Sequence, residues 1–295
     1  MISFRRSSMD IKDLTIFYEV AKEQNISHAA QNLNYVQSNV TMRIKQLEKK
    51  LGVPLFYRNG KGVSLTSNGE ILLSYAQQIL SLMDQSIQAI QNNVLHPTGT
   101  LKIGATESTM AVRFPSILSS YYDMYPEVDL ILETHSTEQL IQLVLERKLD
   151  GACIAGQVHH ADLDSFFFQE EELVIISKSP LSSLKELGQM NLLAFSQGCY
   201  YRNLFETWAY EKGIIPKRVL EFGTIEAILA CVKSGMGVAI MIKSLIQNNE
   251  HPFELTLLPK RVSKVPTMFI VRKDTFYSNA LRKFIDRINE NVSFH

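Results

Sequence analysis

The sequence predicts a two-part α/β protein: an N-terminal, all-α winged helix-turn-helix, followed by a C-terminal domain of two lobes. Three observations support this prediction. Apolar residues recur at helical spacing up to residue 51, and a hairpin signal follows them. One long amphipathic stretch comes next. After residue 100, short apolar strands alternate with helical segments, as in an open α/β sheet.

Composition narrows the class of protein. The chain has 295 residues, of which 45% are hydrophobic and 20% charged, a mixture typical of soluble globular proteins with two or three domains. No apolar run approaches the roughly 18 residues of a membrane span, and the start "MISFRRSSMD" lacks the apolar region of a signal peptide. Three distant cysteines, Cys153, Cys199 and Cys231, suit neither a disulfide framework nor a zinc knuckle. We therefore expect a cytoplasmic protein without membrane association, metal or cofactor.

A basic cluster lies within a chain of zero net charge. Between Arg43 and Lys61 there are six bases and one acid, Glu48. Such a cluster can bind phosphate groups, although a run of charged residues alone more often indicates a solvated helix face. The bases are Arg43, Lys45, Lys49, Lys50, Arg58 and Lys61.

Three helices are predicted before the hairpin. The first runs from about Asp10 to Gln24, Ser27 is expected to cap a short second helix, and the third runs from about Gln37 to Leu51 and ends at Gly52. Apolar residues at steps of three and four predict one buried stripe on the third helix. The stripe consists of Val36, Val40, Ile44, Leu47 and Leu51.

With this stripe inward, the third helix turns short polar side chains outward. Two short helices joined by a tight turn form a helix-turn-helix, whose second helix can enter a DNA major groove. Amides and hydroxyls can bond base edges there, and lysines can meet phosphates. The outward and flanking residues are Gln37, Ser38, Asn39, Thr41, Met42, Lys45 and Lys49.

A β-hairpin is predicted directly after the third helix. The segments "VPLFYR" and "GVSLT" alternate like strands around "NGKG", a type I′ turn signal. This two-stranded wing would carry Arg58 and Lys61 near its tip, where phosphate or minor-groove contact is expected.

Residues 10–73 resemble the N-terminal domain of the LysR-type transcriptional regulators. The segments "FYEVAKEQNISHAAQNL", "QSNVTMRIKQLEKKLGVPLFYR" and "VSLTSNG" carry this resemblance. It implies base-edge contacts from Gln37, Ser38, Thr41 and Met42, and a DNA backbone contact from Arg58. The sequence departs from the family pattern at two positions. Val36 stands where a capping serine is usual, and Met42 stands where arginine is common, so only apolar contact with a base is expected there.

A linker helix is predicted over residues 67–95. Ser67 and Glu70 form a capping-box pattern, and about 28 helical residues would span some 42 Å. Packing within one chain is an alternative, but a stripe this long favours a coiled-coil-like pair. The resemblance implies a homodimer through this helix, with a homotetramer as the further alternative. The stripe consists of Leu72, Ala76, Ile79, Met83, Ile87, Ile90 and Val94.

The remaining chain is predicted as a hinge, "HPTG" at 96–99, and a two-lobed domain over 100–295. One lobe would comprise 100–165 and 267–295 and the other 166–266, so that the chain crosses twice between them. Segments such as "GTLKIGATEST", "LDGACIAG" and "EFGTIEAILACVKSGMGVAIM" resemble the effector-binding half of the same family. The resemblance implies the fold of periplasmic solute-binding proteins.

Hydroxyl groups follow several predicted strands of both lobes. In open α/β sheets, ligands bind beyond the carboxyl ends of the strands, where helix N-termini offer free amides. The resemblance favours an effector site for a small, anionic molecule, although each residue taken alone is as well explained as a helix cap. The candidate residues are Thr106, Ser108, Ser136, Thr137, Ser196, Gln197, Cys199 and Thr224.

Enzymatic and redox alternatives have weaker support. No G-x-S-x-G elbow, Walker loop or G-x-G-x-x-G occurs, and the spacing of His159 and His160 suits neither a zinc site nor catalysis. Cys199 precedes Arg202 at a helix start, and both features would lower a thiol pKa, which leaves a redox sensor as an alternative. A solute-binding or enzymatic α/β protein with an accessory helical domain is the other, but solute binders are exported.

The sequence therefore predicts a regulator of transcription that is not an enzyme. Its expected partners are double-stranded promoter DNA and a small-molecule effector. Effector binding is expected to shift the two lobes, and with them the recognition helices on DNA.

Overall fold

The computed structural model describes residues 9–59, 62–91, 97–247, 253–275 and 277–292. Of the residues named above, Lys61, Val94 and His96 lie outside these ranges. The chain divides into two compact units, one up to Gln91 and one after it.

The N-terminal unit contains the three predicted helices and the predicted hairpin. They are α1 (Ile11–Glu23), α2 (Ile26–Asn32), α3 (Gln37–Leu51), β1 (Phe56–Asn59) and β2 (Gly62–Leu65). β1 and β2 pair antiparallel. Gln24 and Gly52, which follow α1 and α3, have the left-handed backbone that ends helices.

Helix α2 is capped by a different residue from the one predicted. The side-chain oxygen of Asn25 accepts hydrogen bonds from the backbone amides of Ser27 (2.9 Å) and His28 (3.2 Å). The predicted cap, Ser27, was wrong because Asn25 has the extended backbone of an N-cap and Ser27 already lies inside the helix. α3 begins after Val36, which makes no capping bond.

The buried stripe of α3 is shorter than predicted. Val40, Ile44 and Leu47 are fully buried against α1 and α2, but Val36 is 68% exposed and Leu51 38% exposed. Val36 has an extended backbone outside the helix, so helical spacing does not apply to it. Leu51 is the last helical residue, directly before the left-handed Gly52.

Helix α4 (Ser67–Gln91) follows the hairpin within the predicted linker. Thr66, and not the predicted Ser67, caps it. The Thr66 hydroxyl accepts from the Gly69 amide (3.0 Å) and donates to the Pro54 carbonyl (2.8 Å). The Ser67 prediction was wrong because Thr66 lies just outside the first turn and Ser67 is the first helical residue.

The C-terminal unit alternates strands and helices. In chain order, its elements are β3 (Gly99–Ala105), α5 (Glu107–Val112), α6 (Phe114–Met124), β4 (Val128–Thr134), α7 (Thr137–Leu145), β5 (Gly151–Ala155), β6 (Leu163–Ser177), a 3₁₀ turn (Leu184–Gln189), β7 (Asn191–Phe195), α8 (Tyr200–Glu211), β8 (Arg218–Phe222), α9 (Ile225–Ser234), β9 (Ala239–Ile242), α10 (Lys243–Gln247), β10 (Glu254–Leu257), α11 (Lys260–Ser263), β11 (Lys264–Arg272) and α12 (Asn279–Val292). The predicted hinge at 96–99 overlaps β3, which begins at Gly99.

Seven strands form one sheet, in which β6 and β11 are the long antiparallel strands. β3 lies between β4 and β5, parallel to both, and β11 pairs with β5 and β6. The last residues of β6 pair with β9 and β10, and a bridge from Leu192 to Val238 joins β7 and β8 to β9. The two predicted crossing points, after residues 165 and 266, fall inside β6 and β11.

Some elements of this unit were not predicted. The strands β9 and β10 and the short helices α10 and α11 had no counterpart in the pattern. In the first half of β6, "LDSFFFQEEE", only Leu163, Phe168 and Glu171 are buried, so this half lacks a regular alternation.

Candidate functional site

The outward surface of α3 is polar and slightly concave. Met42 lies at its centre and is 50% exposed. The residues that line the concavity are Gln37, Ser38, Thr41, Met42, Lys45, Gln46 and Lys49. Asn39, predicted on the flank, is half-buried and does not line it. Arg58 lies in β1 opposite Val63.

Two bases of the predicted cluster are engaged within the protein. The buried carboxylate of Asp13, at the start of α1, accepts hydrogen bonds from Arg43 (3.1 Å) and Lys50 (2.8 Å). Burial alone would raise the pKa of Asp13, but the hydrogen bonds from Lys50 and Arg43 outweigh it, so the pKa is lowered. The sequence pattern did not single out Asp13, because an acid in the first turn of a helix is usually only a capping residue.

A cleft in the C-terminal unit has a volume of about 180 Å³. It is lined by the turns that follow β3, β4, β7 and β8, together with part of β9. Six of the predicted effector residues line this cleft: Thr106, Ser108, Ser136, Thr137, Ser196 and Cys199. Gln197 and Thr224 do not line it. The structure therefore brings most of the predicted residues together, while their role in binding remains a prediction.

Several hydroxyls at the cleft also have structural partners. Ser136 accepts from the Gln139 amide while the Gln139 side chain accepts from the Ser136 amide, which completes a capping box on α7. The Thr106 hydroxyl lies 2.9 Å from that of Thr109. Thr224 caps α9 through the Ala227 amide. For Ser136 and Thr224, the helix-cap interpretation therefore describes a real contact.

A carboxylate that the sequence analysis missed crosses the cleft. Glu107 lies at the start of α5 and accepts a hydrogen bond from the Ile225 amide (2.9 Å) at the start of α9. Burial raises the pKa of Glu107, although the bond from Ile225 acts in the opposite direction. The N-terminus of α9 is therefore already occupied by a carboxyl group of the same chain.

The N-terminus of α8 differs from those of α7 and α9. Its N-cap residue, Cys199, makes no side-chain capping bond. Burial raises the pKa of the Cys199 thiol, so the predicted lowering of this pKa was wrong. Amides of Arg202 and Tyr201 act in the predicted direction, but burial outweighs them.

Arg202, in the first turn of α8, lines the cleft and is held by three acceptors. Its guanidinium donates to Glu206, Glu221 and the Phe195 carbonyl, each at 2.8 Å. Apolar side chains form the neighbouring wall of the cleft. They are Phe195, Phe222, Ile228, Ile240, Met241 and Ile242.

The described part of the chain contains no helix long and apolar enough to cross a membrane. Within the same residues, no group of histidine, cysteine, aspartate and glutamate side chains could hold a metal ion.

An exposed polar helix in a winged helix-turn-helix, joined in one chain to a two-lobed α/β unit with a small cleft, is the architecture of a bacterial transcriptional regulator that senses a ligand. The chain belongs to the LysR family of these regulators. Residues 11–70 match the family's bacterial regulatory helix-turn-helix model, and residues 96–293 match the LysR substrate binding domain.

Curated relatives agree with this assignment along nearly the whole chain. The HTH-type transcriptional regulator SoxR of Arthrobacter sp. is 44% identical over 282 residues, which cover 95% of this chain and 96% of SoxR. The uncharacterized HTH-type transcriptional regulator YusT of Bacillus subtilis is 42% identical over 280 residues, covering 94% and 95%. These relatives are named as regulators of transcription, and LysR-family regulators are not enzymes.

Solved structures share the fold. Full-length CbnR in complex with its target DNA matches with a TM-score of 0.70 at 22% identity, covering 96% of this chain and 100% of CbnR. A full-length OxyR variant from Pseudomonas aeruginosa matches with a TM-score of 0.73 at 22% identity, covering 96% and 94%. The predicted class is therefore confirmed: the chain is a LysR-family DNA-binding transcriptional regulator with an effector-binding domain.

Proposed function

We propose that the outward face of α3 reads promoter base pairs in the major groove, with the wing beside it on the DNA backbone. The observation that carries this proposal is the division of α3 into two sides. Val40, Ile44 and Leu47 are fully buried, while Gln37 and Met42 are exposed. The amide of Gln37 can bond a base edge, whereas Met42 offers only apolar contact, for example to a thymine methyl.

Two substitutions test this assignment on promoter DNA from upstream of the protein's own gene. Gln37→Ala is expected to relax base preference, with a change of about 1–3 kcal/mol at one position of the site. Arg58→Ala is expected to weaken binding to all sequences and to flatten its dependence on salt. If both variants bind specific and scrambled DNA as the wild type does, the assignment is wrong.

We propose that the cleft binds a small, anionic effector. Its volume of about 180 Å³ is below the roughly 300–1,000 Å³ of pockets for drug-sized ligands. Of the helix N-termini that border it, those of α7 and α9 carry side-chain caps, whereas those of α5 and α8 do not, and α5 carries the acidic Glu107 at its first position. A negatively charged group is therefore best accommodated by the backbone amides at the start of α8, since the charge of Arg202 beside them is already paired with Glu206 and Glu221.

Effector binding is proposed to act through the lobes. The bond from Ile225 to Glu107 joins a helix of one lobe to a helix of the other across the cleft. An effector that changes this contact would favour a different angle between the lobes, and with it a different placement of the recognition helices on promoter DNA in the cytoplasm.

A melting-temperature screen of the full chain against anionic metabolites tests the effector proposal, because a bound ligand raises stability by mass action. A hit is then compared on the wild type and on Ser136→Leu, which would fill the cleft. A melting shift that survives this substitution would place the ligand elsewhere. Scattering envelopes and DNA footprints that are identical with and without such a ligand would contradict the lobe movement.

We propose that α4 pairs two chains into a homodimer, from which a homotetramer can form. Ile71, Tyr75, Ile79 and Leu82 lie on one face of α4 at about 100° per residue, and all four are at least 40% exposed. Of the described residues of the predicted stripe, only Ile79 lies on this face, because Ala76 is fully buried and Leu72 packs against the core of the N-terminal unit. Leu82→Glu is expected to lower the oligomeric state in sedimentation, whereas Ser74→Glu, at an exposed position off this face, should not. An unchanged sedimentation coefficient for Leu82→Glu would exclude this face as the interface.

A further inference from the structure

Asp13 connects the start of α1 to two points on α3. One carboxylate oxygen accepts from Arg43 at 3.1 Å, and the other accepts from Lys50 at 2.8 Å. These two bases are 7 residues apart, which is two helical turns, so they lie on the same side of α3. The side chain of Asp13 is only 1% exposed, while those of Arg43 and Lys50 are about one third exposed. We call this arrangement the Asp13 clamp.

The Asp13 clamp supplies a kind of restraint that the apolar core does not. Val40, Ile44 and Leu47 are held by packing, which is not directional. Charge-assisted hydrogen bonds depend on direction and distance. Rotation of α3 about its own axis would break both arms of the clamp at once, because both lie on one side of the helix.

The same contacts remove two cations from the surface that faces DNA. On a helical wheel, Arg43 and Lys50 lie about 80–100° from Met42, at the edge of the outward face, whereas Lys49 lies about 20° from it. Lys49 lines the concave face and Lys50 does not. Of these two adjacent lysines, Lys50 is bonded to Asp13 and Lys49 lines the concave face.

We propose that Asp13 is a positioning residue for DNA recognition. It fixes the rotation of α3, so that the polar side chains meet the base edges, and it keeps Arg43 and Lys50 on the protein and off the phosphates. Sequence discrimination then depends on the clamp, whereas general affinity for DNA depends on the unclamped lysines. This inference rests on the proposed role of α3 as the recognition helix.

The adjacent lysines provide a matched pair of variants. Lys50→Gln is expected to reduce the ratio of specific to non-specific affinity about tenfold, with the slope of log affinity against log salt unchanged. Lys49→Gln is expected to make that slope shallower by about 0.9, the value for a single phosphate, with little change in the ratio. Both slopes are measured on the full chain with promoter DNA and with scrambled DNA of the same length.

Asp13→Asn removes the negative charge of the Asp13 clamp, whereas Lys50→Gln removes one of its positive charges. Release of Arg43 and Lys50 toward the DNA would steepen the salt slope by up to about 1.8, while the ratio of specific to non-specific affinity falls. A purely structural role would weaken binding without steepening the slope. Asp10→Asn is the control, since Asp10 is exposed and lies 3.6 Å from Arg43. If Asp13→Asn does not fold, the comparison of Lys49→Gln with Lys50→Gln still tests the proposal.

The outcomes separate the two proposals. If Lys49→Gln makes the slope shallower and Lys50→Gln changes only the ratio, the clamp is supported. If Lys50→Gln lowers the slope as much as Lys49→Gln, or leaves the ratio unchanged, the clamp is wrong and α3 still binds DNA. If neither variant changes slope or ratio, α3 is not the recognition helix, and both proposals fail.

Discussion

The outward face of α3 and the cleft of the C-terminal unit are built in opposite ways. The face comes from one helix, and its residues lie between positions 37 and 49. The cleft collects residues from positions 106 to 242, carried by the ends of several strands and helices. A surface made by one helix depends on that helix staying in place, whereas a cleft made from distant segments depends on the whole framework around it.

Buried charge in the framework of the cleft should produce the largest effect. Glu171 is 3% exposed and accepts two hydrogen bonds from Arg113, at 2.7 and 2.9 Å, and one from Ser244 at 3.1 Å. Glu171→Ala would leave the guanidinium of Arg113 without its partner, so we expect a loss of about 3–5 kcal/mol in the free energy of unfolding.

Urea unfolding of the full chain, followed by the fluorescence of its single tryptophan, Trp208, measures this loss. Trp208 is buried in α8 and therefore reports on the C-terminal unit. The control is Glu170→Ala at the neighbouring exposed pair with Lys264, where a change below about 1 kcal/mol is expected. Equal losses in both variants would contradict the assigned difference between buried and exposed pairs.

A smaller effect is expected at the start of α4, in the N-terminal unit. Thr66→Ala removes the cap of α4 and the bond to the Pro54 carbonyl, at a cost of about 1–2 kcal/mol. Ser67→Ala should cost almost nothing. The measurement is hydrogen exchange of the backbone amides in the first turn of α4 in the two variants. If exchange is faster only in Ser67→Ala, then Ser67 is the cap, as the sequence predicted.

The start of α3 offers a stabilising change. Val36 is 68% exposed and makes no capping bond, so Val36→Ser should supply the missing cap and raise the free energy of unfolding by about 0.5–1 kcal/mol. Thermal unfolding followed by circular dichroism measures the gain. Val36→Ala serves as the control, because it shortens the side chain without adding an acceptor. Equal melting temperatures for the two variants would contradict the capping argument.

The two regions should respond to pH with opposite sign. The pKa of Asp13 is lowered from 3.8, so its contribution to stability is present above pH 3.8 and is lost as the pH falls through the lowered value. The pKa of Glu107 is raised from 4.5, so the folded state is favoured below pH 4.5 and loses this advantage as the pH rises through the raised value.

Urea midpoints of the wild type, Asp13→Asn and Glu107→Gln between pH 2 and 7 test these signs. The advantage of the wild type over Asp13→Asn should grow as the pH rises. Its stability relative to Glu107→Gln should fall over the same range. A common sign for both variants would contradict the opposite pKa shifts of the two carboxyl groups.

The sequence predicted the N-terminal unit closely because its signals are local. The bounds of α3 followed from helical spacing and from Gly52. The errors at Ser27 and Ser67 concerned helix caps, where neighbouring residues compete for one position and spacing cannot choose between them. Val36 and Leu51, at the two ends of α3, were wrongly assigned to its buried stripe. The Asp13 clamp was not predicted, since Asp13 and Lys50 are 37 residues apart.

The cleft was predicted less completely because it depends on topology. Hydroxyls at strand ends identified Ser108 and Ser136, but Glu107 carried no signal in its own segment, and Arg202 was noted only as a neighbour of Cys199. The direction of the pKa shift at Cys199 depends on burial, which the order of the residues does not contain. The strands β9 and β10 were missed because each has only four residues and, unlike the equally short β1 and β2, they do not flank a hairpin turn signal.

The position of β11 has a consequence for the order in which the protein can be made. β11 lies inside the sheet, between β5 and β6, yet its partners precede it by about one hundred residues in the chain. While a ribosome is still synthesising the intervening residues, β5 and β6 each have an unpaired edge. Such edges attract strands of other molecules, so the nascent chain is most prone to aggregation just before β11 emerges.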